Sequence, residues 1–184
     1  SLGIPLVIDH LERFGFSRDR LSTGLSLALG SASTTPMEIA RGYAVFANGG
    51  YLIEPYFIAR IENRDGRIVR YANHTILCPA CQPDQSPSVQ SGSGIIRDRR
   101  YARRAISPEN AYLMTSLMNE VMTTGTGRKS LSLGRTDLSG KTGTTNNFRD
   151  AWFTGFNRDI TASVWIGFDQ PKELGRRESG SRAA

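Results

Sequence analysis

Residues 139–145 read Ser-Gly-Lys-Thr-Gly-Thr-Thr, and two incompatible structures share that lettering. A Gly-Lys-Thr run can close a phosphate-cradling loop, G-x-x-x-x-G-K-[ST], whose backbone N–H groups hold phosphates at the start of a helix. It can also form an active-site strand that reads a carboxylate. Counting five positions back from Gly140 reaches Arg135, with Gly134 one position too early. Beyond the lysine, Gly143-Thr144-Thr145 sets a helix breaker beside two β-branched residues, where a phosphate loop needs a helix to begin. The strand reading is the one the residues support.

On a strand edge each residue has a use. Lys141 offers a positive charge, and Gly143 removes the side chain that would block a ligand backbone lying alongside. Thr142 and Thr144 add hydroxyl donors suited to a carboxylate, and Thr145 extends the same polar edge. The N–H of Thr144 can aim at a developing oxyanion. An exposed edge pairs with an extended peptide, so the site fits a peptide ending in a carboxylate. A K-[ST]-G-[ST] string arises by chance in a chain of this length about one time in a hundred.

The flanking sequence continues as strands. Residues 150–157, DAWFTGFN, and 161–168, TASVWIGF, are aromatic and β-branched, with a turn at Asn157-Arg158-Asp159 between them. Together with 138–145 they predict a three-stranded antiparallel meander. Helices are expected before it. Val7, Leu11 and Phe14 recur at helical spacing from Pro5, with Gly15 as a stop. Thr35-Pro36-Met37-Glu38 is a capping box with proline at the first helical position, opening a helix to about Ala47 that Gly49-Gly50 ends. Ser107-Pro108-Glu109 opens another helix through Tyr112, Leu113, Leu117 and Val121, which Gly125 and Gly127 break. A hairpin at 57–72 turns on Arg64-Asp65-Gly66. Helices segregated before an antiparallel sheet make an α+β fold. Trp152 and Trp165 fit strand packing, and Asp150 suits either an ordinary turn or the orientation of the loop after 145.

Composition sets the bounds. The 184 residues are 39% hydrophobic and 22% charged, ordinary for one globular unit with a core. No apolar run is long enough to cross a bilayer, and the first residues lack the regions of a signal peptide. The net charge of +6 rests mostly on arginine and attracts anionic partners. Its densest run, residues 97–104, contains Asp98 and lacks a zinc or recognition-helix pattern, so a solvated face is expected and no nucleic acid. Cys78 and Cys81 lack the four ligands of structural zinc, leaving a disulfide or two free thiols, with no metal and no cofactor expected. Residues 78–94, rich in Pro, Ser, Gln and Gly, predict a flexible insertion.

Residues 141–169 resemble the third active-site motif and following strands of penicillin-binding transpeptidases, whose fold is β-lactamase-like. Residues 27–55, LALGSASTTPMEIARGYAVFANGGYLIEP, resemble a segment of the class A, bifunctional members of the penicillin-binding protein 1A type. The resemblance implies D-alanyl-D-alanine transpeptidase chemistry on peptidoglycan stem peptides, inhibited by β-lactams. It assigns Lys141 to electrostatic pairing with substrate and the second-motif serine, and the Thr144 N–H to the oxyanion hole. It also assigns Thr142 and Thr144 to the carboxylate and Gly143 to clearance. A parent with a glycosyltransferase domain, at the periplasmic face of the bacterial inner membrane among cell-wall synthesis proteins, is implied as well.

Such enzymes draw nucleophile and base from S-x-x-K and a second wall from S-x-N. Neither occurs here. Leu138 and Asp169 stand three positions before Lys141 and Lys172, Thr126 before Lys129 is the one hydroxyl at that spacing, and the threonine forms of S-x-N fall inside or beside the Lys-Thr-Gly motif itself. Residues 1–184 are therefore expected to be the C-terminal part of a transpeptidase domain, lacking its first two motifs and inactive alone. A histidine-assisted serine hydrolase would need His10 or His74, neither in a recognisable setting. A related carboxypeptidase or β-lactamase, or a non-catalytic basic binding module, are the other readings.

Overall fold

The computed structural model describes residues 3–72, 74–78, 100–175 and 178–183. Helix α1, Ile4–Arg13, takes Pro5 in its first turn, and Gly15 at φ 88° turns the chain away after it. Helix α2, Pro36–Ala47, begins in a complete capping box. Glu38 N–H donates to Thr35 Oγ1 at 3.2 Å, while Glu38 Oε2 accepts from Thr35 N–H at 2.8 Å. Gly49 and Gly50 follow at φ 69° and 101°, and a side chain at Gly50 would collide with the Ile106 carbonyl. That close approach lets Gly50 O accept from Ala105 N–H at 2.8 Å.

Short strands link these helices to the rest of the fold. Strand β1, Tyr51–Leu52, pairs antiparallel with β6, Arg103–Arg104. The hairpin of β2, Arg60–Glu62, and β3, Ile68–Tyr71, turns at Gly66, φ 76°, with a register irregularity at Ile61/Glu62. Its first strand starts at Arg60 rather than near Phe57, which is 88% exposed. Strand β4, Thr75–Ile76, pairs parallel with β5, Arg100–Tyr101, a contact that local pattern did not signal. Cys78 is disulfide-bonded, and Cys81 with the rest of the expected insertion lies outside the described residues. In the basic run, Arg104 is built in, lying 4.1 Å over the Tyr51 ring and donating to Gly49 O at 3.3 Å.

Helix α3, Pro108–Thr123, is capped by Ser107, whose Oγ accepts from Asn110 N–H at 3.2 Å. It buries Ala111, Met118 and Met122 and leaves Tyr112, Leu113 and Leu117 exposed. The main sheet follows: β7, Ser139–Thr144, β8, Ala151–Phe156, and β9, Thr161–Ile166, an antiparallel meander in that order. Asn157 Oδ1 accepts the N–H groups of Asp159 and Ile160, both at 2.9 Å, which closes the β8–β9 turn. Helix α2 packs on β8 and β9, α3 on β7, and the short α4, Gly180–Ala183, on all three strands. The expected α+β arrangement is the observed one.

The main core joins Phe14, Val45, Leu52, Ala105, Ile106 and Ala111, with Val45 fully buried. Phe46 extends it to the sheet, stacking on Phe156 at 6.4 Å and 24°. Each large side chain so buried contributes roughly 1.5–3 kcal/mol.

Candidate active site

Strand β7 carries the site, and its position is fixed from α3. Asn119 Nδ2 donates to Thr136 O at 2.9 Å and Leu138 O at 2.7 Å, holding the chain as it enters the strand. Ser139, buried, donates to Thr115 O at 3.0 Å. Past Met122, Thr126 Oγ1 meets Thr142 Oγ1 at 2.6 Å. Sequence reasoning weighed Thr126 only as a false S-x-x-K and did not single out Asn119. The signal available for Asn119 was a polar residue set between Met118 and Met122 on the face that meets β7.

Among the described residues, no strand pairs with the second edge of β7. The β7–β8 register runs without a shift from Ser139↔Phe156 to Thr144↔Ala151, and one step further Thr145 N–H donates to Asp150 O at 3.1 Å. Antiparallel residues alternate between bonding the partner strand and pointing away from it. The N–H and C=O of Thr144 and Thr142 are therefore directed to the unpaired edge. Lys141 is exposed, with Nζ donating to Thr142 O at 2.9 Å and no ion pair among the described residues. A side chain at Gly143 would sit 3.2 Å from Trp152 Cβ, so the bare backbone keeps that stretch low.

The two outer threonines are more committed than their types suggest. Thr144 Oγ1 accepts from Gly180 N–H at 3.0 Å, a tie to α4. Thr145 Oγ1 donates to Asp150 Oδ2 at 3.1 Å and accepts from Asp150 N–H at 2.8 Å. Asp150 Oδ1 also accepts from Trp165 Nε1 at 3.0 Å. Of the two uses left open for Asp150, orientation of the loop after the strand is the observed one. Within that loop Asn147 and Phe148 stand at φ 61° and 52°, and Phe148 O accepts from Leu174 N–H at 2.9 Å. Trp152 and Trp165 face each other across β8 and β9 with ring centres 6.2 Å apart, as strand packing requires.

Lys141, Thr142, Gly143, Thr144 and Thr145 are thus contiguous along one edge and its exit. His10 packs on Phe14 at 5.3 Å and His74 lies 5.8 Å from Tyr56, both away from that edge. A cavity of about 530 Å³, lined by Glu12, Arg18, Arg41, Glu54 and Arg103 among others, is also separate from it. Among the described residues no group of His, Cys, Asp and Glu converges as a metal site, and no helix is long and apolar enough to cross a membrane.

The family model described as the penicillin binding protein transpeptidase domain matches residues 7–184. The chain belongs to the penicillin-binding protein transpeptidase family. Penicillin-binding protein 1A of Pseudomonas aeruginosa is 44% identical across the whole chain, which spans 25% of that relative. The crystal structure of penicillin-binding protein 1A from Haemophilus influenzae superposes with a TM-score of 0.83 at 40% identity, over 98% of this chain and 29% of that one. Penicillin-binding protein A of Mycobacterium tuberculosis, solved as an imipenem acyl-enzyme complex, shares the fold at TM-score 0.60 and 17% identity, over 96% of this chain and 39% of that one. The family match over residues 7–184 and the strand formed by Ser139–Thr144 together remove the phosphate-loop reading.

Proposed function

We propose that this chain supplies one wall of a D-alanyl-D-alanine transpeptidase that cross-links peptidoglycan. The observation that carries the reading is the unpaired β7 edge, where Lys141, the hydroxyl of Thr142 and the outward N–H of Thr144 adjoin. A stem peptide lies along that edge with its terminal carboxylate at Thr142 and Thr144 and beside the Lys141 charge. Gly143 gives its backbone clearance. A serine elsewhere in the full-length protein attacks the carbonyl between the two terminal D-alanines, forming a tetrahedral oxyanion that the Thr144 N–H receives and that collapses to the seryl ester. The amide C–N bond breaks, D-alanine leaves with a proton on its nitrogen, and an amine of a second stem displaces the serine to form the cross-link. A β-lactam opens on the same serine and stays as the ester.

Residues 1–184 on this reading are the C-terminal part of the transpeptidase domain. The first two motifs, a glycosyltransferase domain and a membrane anchor belong to the rest of the polypeptide, at the periplasmic face of the inner membrane. Thr145 and Asp150 hold the exit of the strand and so frame the substrate edge.

A fluorescent penicillin tests the reading. It labels the full-length protein covalently, and Lys141→Ala there slows acylation roughly 10²-fold or more. The isolated chain stays unlabelled. Labelling of the isolated chain would place a nucleophile within it, and unimpaired acylation of the Lys141 variant would remove that residue's role.

A further inference from the structure

The contact between Thr126 and Thr142 is carried by no motif and joins two hydroxyls 16 positions apart in sequence. Thr126 stands in a turn with little freedom to move. Gly125 N–H donates to Glu120 O at 3.2 Å and Gly127 N–H to Val121 O at 3.0 Å. A side chain at Gly125 would lie 2.9 Å from Val121 Cα and O, and one at Gly127 would lie 3.3 Å from Val121 O. The two flanking glycines therefore press the turn onto the last turn of α3, which Asn119 in turn fastens to the entry of β7. Thr126 is exposed, Thr142 half-buried, and the Thr126 hydroxyl makes no other hydrogen bond among the described residues.

Either hydroxyl can be the donor in the free protein. A bound carboxylate removes that freedom. An ionised carboxylate only accepts, and each threonine hydroxyl has one proton. When Thr142 turns its proton to the carboxylate, its oxygen is left to accept, and the Thr126 proton fills that place. We propose that Thr126 is a positioning residue for carboxylate recognition. Its hydroxyl donates to Thr142, fixes the direction of the Thr142 proton toward the edge of β7, and strengthens that bond by polarising it. The inference rests on the reading of β7 as a carboxylate-binding edge and names a residue of that site outside the strand.

The test uses the full-length protein and two probes that differ only at the group read: a penicillin and its methyl ester. Thr126→Val lowers the ratio of acid to ester acylation rates about tenfold, the effect of one charge-assisted hydrogen bond. Thr126→Ser, which keeps the hydroxyl, holds the ratio within about twofold of the parent. Thr142→Val lowers the ratio as well, and the Thr126→Val/Thr142→Val double variant falls no further than Thr142→Val alone. Should Thr126→Val leave the ratio unchanged while Thr142→Val lowers it, the role given to Thr126 is wrong and the carboxylate edge stands. Equal slowing of acid and ester by Thr126→Val makes Thr126 a purely structural residue and also overturns the proposal. An unchanged ratio in Thr142→Val overturns the carboxylate reading, and the role of Thr126 with it.

Discussion

Gly140 and Gly143 lie three positions apart on one strand, yet their surroundings demand different things of them. A side chain at Gly140 would stand 2.6 Å from Thr154 O, 3.0 Å from Gly155 Cα and 3.2 Å from Met122 Sδ. Two of those atoms are backbone of a paired strand and cannot give way cheaply, so Gly140→Ala is expected to cost about 1–3 kcal/mol. Denaturant unfolding measures it. A side chain at Gly143 would meet only the Trp152 side chain, Cβ at 3.2 Å and Cγ at 3.9 Å. Gly143→Ala is expected to unfold within about 1 kcal/mol of the parent while acylation by a β-lactam slows markedly, because the methyl group crowds the ligand edge. Parallel losses in both measurements would contradict that division. The β7 edge was legible because its residues are consecutive: Lys141, Thr142, Gly143 and Thr144 declare a strand edge by type and order. Thr126 was not, since its meaning comes only from Thr142, and no local pattern pairs the two.

The helix α2 was legible to the residue at its start because a capping box is written in four consecutive letters. Thr35→Ala is expected to cost about 1 kcal/mol, read as a lower unfolding midpoint. Glu38 adds a dependence on pH. Its carboxylate accepts the Thr35 backbone N–H at 2.8 Å, the Thr35 hydroxyl at 3.0 Å and Arg20 at 2.9 Å. The backbone bond first, with the hydroxyl and the Arg20 charge adding to it against partial burial, holds its pKa below the ordinary 4.5. A carboxylate with a depressed pKa in the folded state stabilises above its unfolded pKa, and that contribution disappears as pH falls through the folded value. The stability difference between the parent and Glu38→Gln is therefore largest near neutral pH and shrinks below about pH 4.5. Helix α3 shows where element-level reading stops. Its start is announced by Ser107-Pro108, but apolar residues occupy several of its faces, so periodicity cannot choose among them. Tertiary packing chooses: Ala111 joins the core around Val45, Met118 is buried, Met122 is buried against Gly140 of β7, and Tyr112, Leu113 and Leu117 stay outside.

At the scale of the whole molecule, the strand proposed to read substrate is gripped on two sides by segments far from it in sequence. Helix α3 holds its entry, Thr126 in the turn after α3 holds its Thr142 hydroxyl, and α4 holds its exit. The meander itself was legible from alternating aromatic and β-branched residues. The gripping contacts were not, because Gly-Ser-Arg-Ala at 180–183 has too few residues to show a period. Gly180 makes the grip close: its N–H donates to Thr144 Oγ1 at 3.0 Å, and an added side chain would run into the backbone of Gly143 and Trp152. Since those atoms belong to two paired strands, α4 must lift when the side chain is added, and the Thr144 hydroxyl loses its donor. Gly180→Ala in the full-length protein is accordingly expected to lower stability by about 1–3 kcal/mol and to slow β-lactam acylation, although residue 180 carries no functional group. Stopped-flow acylation beside thermal unfolding separates the two effects. If α4 were only a cover, stability would fall and the acylation rate of the folded enzyme would hold. A fall in both ties the exit of β7, and with it the placement of the Thr144 N–H, to a helix 36 residues further along the chain.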